Sequence, residues 1–134
     1  MIKKILIIDD EIEIVELLQR FLKLEGFKVD YVLNAQDSLN VMKKNMYSLI
    51  LCDIKLLDMS GEDLIKKLKE YNPLVSIIMI TAYSSMEKVV SCIEKGAVDY
   101  FTKPFSGMDK LIEVVNYHYE KIKRWHKLFP YFEY

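Results

Sequence analysis

Four apolar runs in this chain end in groups suited to polar chemistry. Ile5-Leu6-Ile7-Ile8 is followed by Asp9-Asp10, Leu49-Ile50-Leu51-Cys52 by Asp53, and Ile77-Ile78-Met79-Ile80 by Thr81. Val98-Asp99-Tyr100-Phe101 leads into Lys103-Pro104. If each run is a buried parallel strand, these groups emerge together at the carboxyl edge of one sheet. Three carboxylates, a hydroxyl and an amine there compose a metal-assisted phosphoryl acceptor.

Charge supports the convergence. Aspartates with an ordinary pKa of about 3.9 repel one another when crowded at neutral pH. A hard divalent cation relieves that repulsion, and an all-oxygen ligand set of this size suits Mg²⁺. Three carboxylates, one Mg²⁺ and the Lys103 ammonium then sum to zero charge. Asp53, on the central strand, is best placed to attack phosphorus and become an aspartyl phosphate. Asp10, with Asp9, holds the metal; Thr81 donates its hydroxyl to one phosphoryl oxygen, and Lys103 pairs with another. Taken singly, each group has a plainer role: Asp-Asp as a helix cap, Asp53 as a turn former, Lys103 as a surface cation. Those roles do not explain why four strands end in the parts of one mechanism.

The elements that must position these groups alternate regularly. Residues 1–8 read as a strand, and residues 10–25 as a helix burying Ile14, Leu17, Leu18, Phe21 and Leu22, the spacing of one helical face. Gly26 ends that helix. Phe27, Val29 and Tyr31 alternate with polar residues, as in a less buried edge strand. Asn34 caps a helix reaching about residue 45, and residues 49–52 form the third strand. A loop over 53–60 leads to a helix over 61–71 with Leu64, Ile65 and Leu68 inward; residues 75–80 form the fourth strand. Ser84 or Ser85 caps a helix ending at Gly96, and residues 97–101 form the fifth strand. Ser106 begins a last helix, with Asp109 as its capping partner and Met108, Leu111, Ile112, Val115, Tyr119 and Ile122 as its buried stripe.

Five strand–helix units with short connections predict an α/β fold, a flavodoxin-like doubly wound parallel sheet of order 2-1-3-4-5. Its ligand crevice lies at the switch point beyond strands 1 and 3, where Asp9, Asp10 and Asp53 fall. Residues 1–122 read as one domain and residues 123–134 as an extension of the last helix with an aromatic-rich tail.

Bulk properties narrow the function. With 134 residues, 51% hydrophobic and 29% charged, the chain reads as a globular domain. Apolar stretches this short cannot span a bilayer, and Lys3-Lys4 with Ile5 to Ile8 lacks the cleavage site of a signal peptide; a cytoplasmic location follows. A net charge of −1 argues against direct nucleic-acid binding. Cys52 and Cys92 read as core residues. His118 and His126 stand about 12 Å apart along one helix, too far to share a metal.

The quoted motifs resemble the receiver domains of two-component response regulators over roughly residues 3–120. The resemblance rests on Ile7-Ile8-Asp9-Asp10-Glu11, on Asp53-Ile54 with Gly61 eight residues on, on Thr81-Ala82, and on Gly96-Ala97 leading to Asp99-Tyr100-Phe101-Thr102-Lys103-Pro104-Phe105. It implies that Asp53 accepts phosphate from a sensor histidine kinase, a phosphotransfer protein or a small phosphodonor. It also implies Mg²⁺ ligation by Asp10, Asp53 and the backbone carbonyl of Lys55, and a cis peptide joining Lys103 to Pro104. It further implies a switch: Thr81 moves toward the phosphoryl group and Tyr100 turns inward. That reshapes the surface of the fourth helix, fifth strand and fifth helix for a downstream protein or effector domain. Such a domain catalyses only its own phosphorylation and dephosphorylation.

Two positions depart from the usual pattern. Leu57 stands where proline is common, which predicts a less rigid loop after Asp53. Lys55 and Tyr83 occupy positions that tune dephosphorylation, and as a bulky pair they are expected to shield the acyl phosphate. A haloacid-dehalogenase-like phosphatase needs a second Asp two residues after its nucleophile, where this chain has Lys55. A flavodoxin-type FMN carrier needs Ser, Thr and Gly in the loop here occupied by Asp9-Asp10-Glu11-Ile12-Glu13.

The 31 residues after Lys103 suffice for a helix and a short tail, so the chain is expected to act alone, through a partner, or as an excised receiver. Trp125, Phe129, Tyr131, Phe132 and Tyr134 either fold back on the domain, remain from a truncated linker, or form a homodimer or partner surface.

Overall fold

The computed structural model describes residues 3–82, 85–103 and 107–128. Its elements are β1 (Lys4–Ile8), α1 (Ile12–Leu24), β2 (Lys28–Val32), α2 (Ala35–Met42), β3 (Leu49–Asp53), α3 (Gly61–Tyr71), β4 (Ser76–Thr81), α4 (Met86–Lys95), β5 (Asp99–Thr102) and α5 (Met108–Leu128). The sheet is parallel, in the order β2-β1-β3-β4-β5. This is the flavodoxin-like fold that the alternation predicts.

Both faces of the sheet are covered, so the central strands are apolar runs without polar alternation. Leu6, Ile8, Ile50, Cys52, Ile77 and Met79 pack with Leu39 of α2, Leu64 and Leu68 of α3, and Val89 and Cys92 of α4. The opposite rows, Ile5, Ile7, Leu49, Leu51, Ile78 and Ile80, pack with α1 and α5. Each fully buried Leu or Ile contributes about 1.5–3 kcal/mol. A one-residue slip of β3 would draw Ser48 or Asp53 into an apolar row, so the packing also fixes the register.

Local signals set the helix ends. Asn34 accepts a hydrogen bond from the Asp37 amide (2.8 Å), and Ser60 and Ser85 accept from Asp63 and Lys88 (3.2 Å each). Gly26, at φ +87°, closes α1: its amide donates to the Lys23 carbonyl and that of Phe27 to Leu22, a left-handed turn that glycine adopts freely. Gly61 serves proximity instead. A Cβ there would stand 2.7 Å from Ile54 Cβ and 2.8 Å from its Cα, so the start of α3 presses directly on the residue that follows β3.

Several details differ from the sequence expectation. The buried line of α1 is Val15, Leu18 and Leu22; Ile14, Leu17 and Phe21 flank it, half-buried. Phe27 is buried ahead of β2, edge-on to Tyr119 at 5.3 Å, whereas Tyr31 is 44% exposed because the sheet edge leaves its ring uncovered. Strand β5 starts at Asp99 rather than 97, since the Ala97 amide is spent capping α4 at Cys92. Helix α2 stops at Met42. Strands β3 and β4 run one residue longer than their apolar runs, so Asp53 and Thr81 are themselves strand residues.

Candidate functional site

Strand parity brings the acidic groups together. Ile8 pairs with Cys52, Cys52 with Met79, and Met79 with Tyr100. Asp9 and Asp53 each follow one position later. They continue the rows Ile5-Ile7 and Leu49-Leu51, and so share the α1/α5 face. The Asp9 amide donates to the Val32 carbonyl (3.2 Å), holding Asp9 in line with the sheet. Thr81, paired with Thr102, is buried at the end of β4. The Lys103 amide donates to the Thr81 carbonyl (2.7 Å), which fixes the backbone from which the lysine reaches inward.

Asp9, Asp53 and Lys103 are all buried, at 0%, 4% and 7% exposure. Lys103 Nζ lies 2.7 Å from Asp9 Oδ2, 3.3 Å from Asp53 Oδ2 and 3.7 Å from Glu11 Oε1. The other oxygens of the two aspartates take backbone donors: Asp9 Oδ1 accepts from the Glu11 amide (2.9 Å) and Asp53 Oδ1 from the Lys55 amide (3.0 Å). Burial raises the Asp9 carboxyl above its ordinary range, and the Lys103 and Glu11 contacts offset this only in part. Burial alone would lower the Lys103 amine. The Asp9 hydrogen bond and the charges of Asp53, Asp9 and Glu11 outweigh it and hold the amine above its ordinary range, so it stays cationic.

Asp9, Asp10, Glu11 and Asp53 each offer a carboxylate oxygen within 4.8 Å of the others. Four carboxylates facing one ammonium leave an excess of negative charge, and their all-oxygen chemistry fits a hard divalent cation. The pocket can therefore hold a metal, with the exposed Asp10 and Glu11 at its mouth and Asp9 and Asp53 at its floor. Glu11 joins this cluster; its sequence signal is its place in the Asp9-Asp10-Glu11 run.

Of the other expected residues, Tyr100 lies on β5 with its ring 44% exposed, and Lys55 opens the loop after β3. That loop, in which Leu57 predicts less rigidity, carries contacts of its own. Lys55 and Ser60 form an antiparallel bridge across it, and Leu56 and Met59 pack on the core. Pro104, Tyr83, Ser84, Ser106 and the tail residues Phe129, Tyr131, Phe132 and Tyr134 lie outside the described residues, as does the expected peptide between Lys103 and Pro104.

Fold and site together define a class. The model of the response regulator receiver domain matches residues 5–116. The transcriptional regulatory protein ZraR of Klebsiella oxytoca is 36% identical over 80% of this chain, and SrrA of Staphylococcus aureus is 37% identical over 85%. The matched regions span 24% of ZraR and 47% of SrrA, so the chain corresponds to about a quarter and about half of these relatives. A crystal structure of a CheY-like receiver domain protein from Methanospirillum hungatei aligns at a TM-score of 0.84 and 33% identity, covering 92% of this chain and 99% of that one. This chain belongs to the receiver domains of two-component response regulators. No described helix is long and apolar enough to cross a membrane.

Proposed function

We propose that this domain accepts a phosphoryl group on Asp53, in a Mg²⁺-dependent reaction, from a sensor histidine kinase, a phosphotransfer protein or a small phosphodonor. The observation that carries this reading is the buried Lys103 ammonium held between Asp9 and Asp53, beside a cluster of further carboxylates. Asp10, Asp53 and the Lys55 carbonyl would hold the cation, with Asp9 supporting them; when bound, Mg²⁺ would supply charge stabilisation to the transferring phosphoryl oxygens.

The chain's own residues do the rest. An Asp53 carboxylate oxygen attacks phosphorus, and a new O–P bond forms as the donor's P–N or P–O bond breaks. The leaving imidazole or carboxylate takes the electron pair. Attack by a carboxylate oxygen releases no proton, so the step requires no general base. Lys103 then transfers part of its pairing from Asp53 to a phosphoryl oxygen, and the Thr81 hydroxyl donates to another.

Signalling follows from the same contacts. As Thr81 turns toward the phosphoryl group, the exposed Tyr100 ring turns inward, and the surface of α4, β5 and α5 changes for a downstream protein, an effector domain or a second copy of the chain. Residues 1–122 carry this function in the cytoplasm, and nucleic-acid contact is left to partners. The test is phosphorylation by labelled acetyl phosphate with Mg²⁺. Neutral hydroxylamine should release the label as expected of an acyl phosphate, whereas a resistant label would point to a hydroxyl residue and refute Asp53 as acceptor.

A further inference from the structure

The loop between Lys55 and Ser60 carries the carbonyl that the proposed cation site needs, and it is tied to a helix far away in sequence. Asp58 Oδ1 accepts from the Ala35 amide (3.1 Å) and Oδ2 from the Gln36 amide (3.0 Å). These are the first two residues of α2, whose amides have no partner within the helix. Asn34 already caps the same turn at Asp37. The first turn of α2 is thus capped twice, once by its own N-cap residue and once by the loop that follows Asp53. One such cap serves a helix; the second, made of two charge-assisted bonds, serves the loop.

The rest of the loop shows what this tie supports. Leu57, at the tip, is 98% exposed and adds no packing there. Lys55 donates its amide to Asp53 Oδ1, so any drift of the loop shifts the orientation of the acceptor carboxylate. The Ala35 and Gln36 amides hold the Asp58 carboxyl below its ordinary range, and it is ionised at neutral pH.

We propose that Asp58 is a positioning residue: by clamping the loop to α2 it fixes the Lys55 backbone, and through it the Asp53 carboxylate, against the acidic cluster. This rests on the phosphoacceptor reading for its purpose, but the clamp can be tested separately. The full chain is compared with Asp58→Ala, Asp58→Asn and Asn34→Ala. Amide hydrogen exchange at Lys55 is followed without metal, and Mg²⁺ affinity is measured by calorimetry.

In Asp58→Ala, Lys55 exchange should accelerate roughly tenfold and Mg²⁺ binding weaken roughly tenfold. Asp58→Asn, which keeps one acceptor oxygen and most of the shape, should show a smaller change in the same direction. Asn34→Ala removes a cap from the same helix and should leave both readouts at wild-type values. Unchanged Lys55 exchange in the Asp58 variants, or an equal change in Asn34→Ala, overturns the clamp. A wild type that binds no Mg²⁺ would instead overturn the phosphoacceptor reading, while the exchange comparison still decides the clamp.

Discussion

Lys103 Nζ lies 2.7 Å from Asp9 Oδ2, nearer than the 3.3 Å that separates it from Asp53 Oδ2. The lysine pairs most closely with the fully buried Asp9 and engages Asp53, the proposed acceptor, more loosely, a contact that the proposed reaction would exchange for a phosphoryl oxygen. The cluster carries an excess of carboxylates even so.

Replacing Lys103 with Met leaves Asp9 and Asp53 buried without their cation. Breaking such a pair from one side costs about 3–5 kcal/mol, so urea unfolding at pH 7 should show a loss of that order. The Lys103 amine is held above its ordinary value of 10.5. A raised pKa in the folded state gives stability that is complete below the unfolded value and lost as pH rises through the folded one. The gap between wild type and Lys103→Met should therefore narrow above about pH 10.5. A gap that stays constant into strong alkali would contradict the assignment.

Asp9→Asn should act in the opposite direction. The Asp9 carboxyl is raised above 3.8, chiefly by burial, so the folded state favours its protonated form and ionisation on going to neutral pH weakens the fold. A neutral amide of the same shape avoids that cost. Thermal unfolding at pH 7 should rise by a few degrees, the scale of roughly 1 kcal/mol for a domain of this size. A lower Tm would mean that the ion pair with Lys103 outweighs the desolvation.

Tyr47 tests a cluster remote from the site. Its buried hydroxyl donates to Asp30 Oδ2 (2.7 Å), while Lys4 reaches both Asp30 (3.3 Å) and the tyrosine ring. Tyr47→Phe should cost about 1–2 kcal/mol at pH 7 and leave phosphorylation unchanged. Burial and the neighbouring Asp30 raise the Tyr47 hydroxyl well above 10. Its stabilisation is therefore present below pH 10 and lost above it, so the variant should be the less sensitive of the two to alkali. Calorimetric unfolding at pH 7 and pH 11 measures both effects.

Much of this architecture was legible in the sequence, because buried parallel strands write themselves as unbroken apolar runs and each run here stops at a polar group. Asp9, Asp53, Thr81 and Lys103 are visible in that way. Glu11 is less so, since its place in the Asp9-Asp10-Glu11 run is its one signal and an acidic residue at a helix N-terminus has an ordinary explanation. Asp58 carries no local signal at all: its partners, Ala35 and Gln36, are more than twenty residues away, and only the folded backbone brings their amides to it. The outward turn of Tyr31 was hidden for a related reason, as alternation marks the faces of an edge strand and not where the covering helices end. Leu57, for its part, gives no sign of the Lys55–Ser60 bridge or of the Asp58 contacts to α2 that the same loop carries.

The most direct test is intact-protein mass spectrometry after incubation with acetyl phosphate and Mg²⁺, on wild type and Asp53→Asn, each repeated with a chelator. One phosphoryl group should appear on the wild type with Mg²⁺ and be absent from the other three samples. A phosphoryl adduct on Asp53→Asn, or none on a folded wild type, would contradict the account.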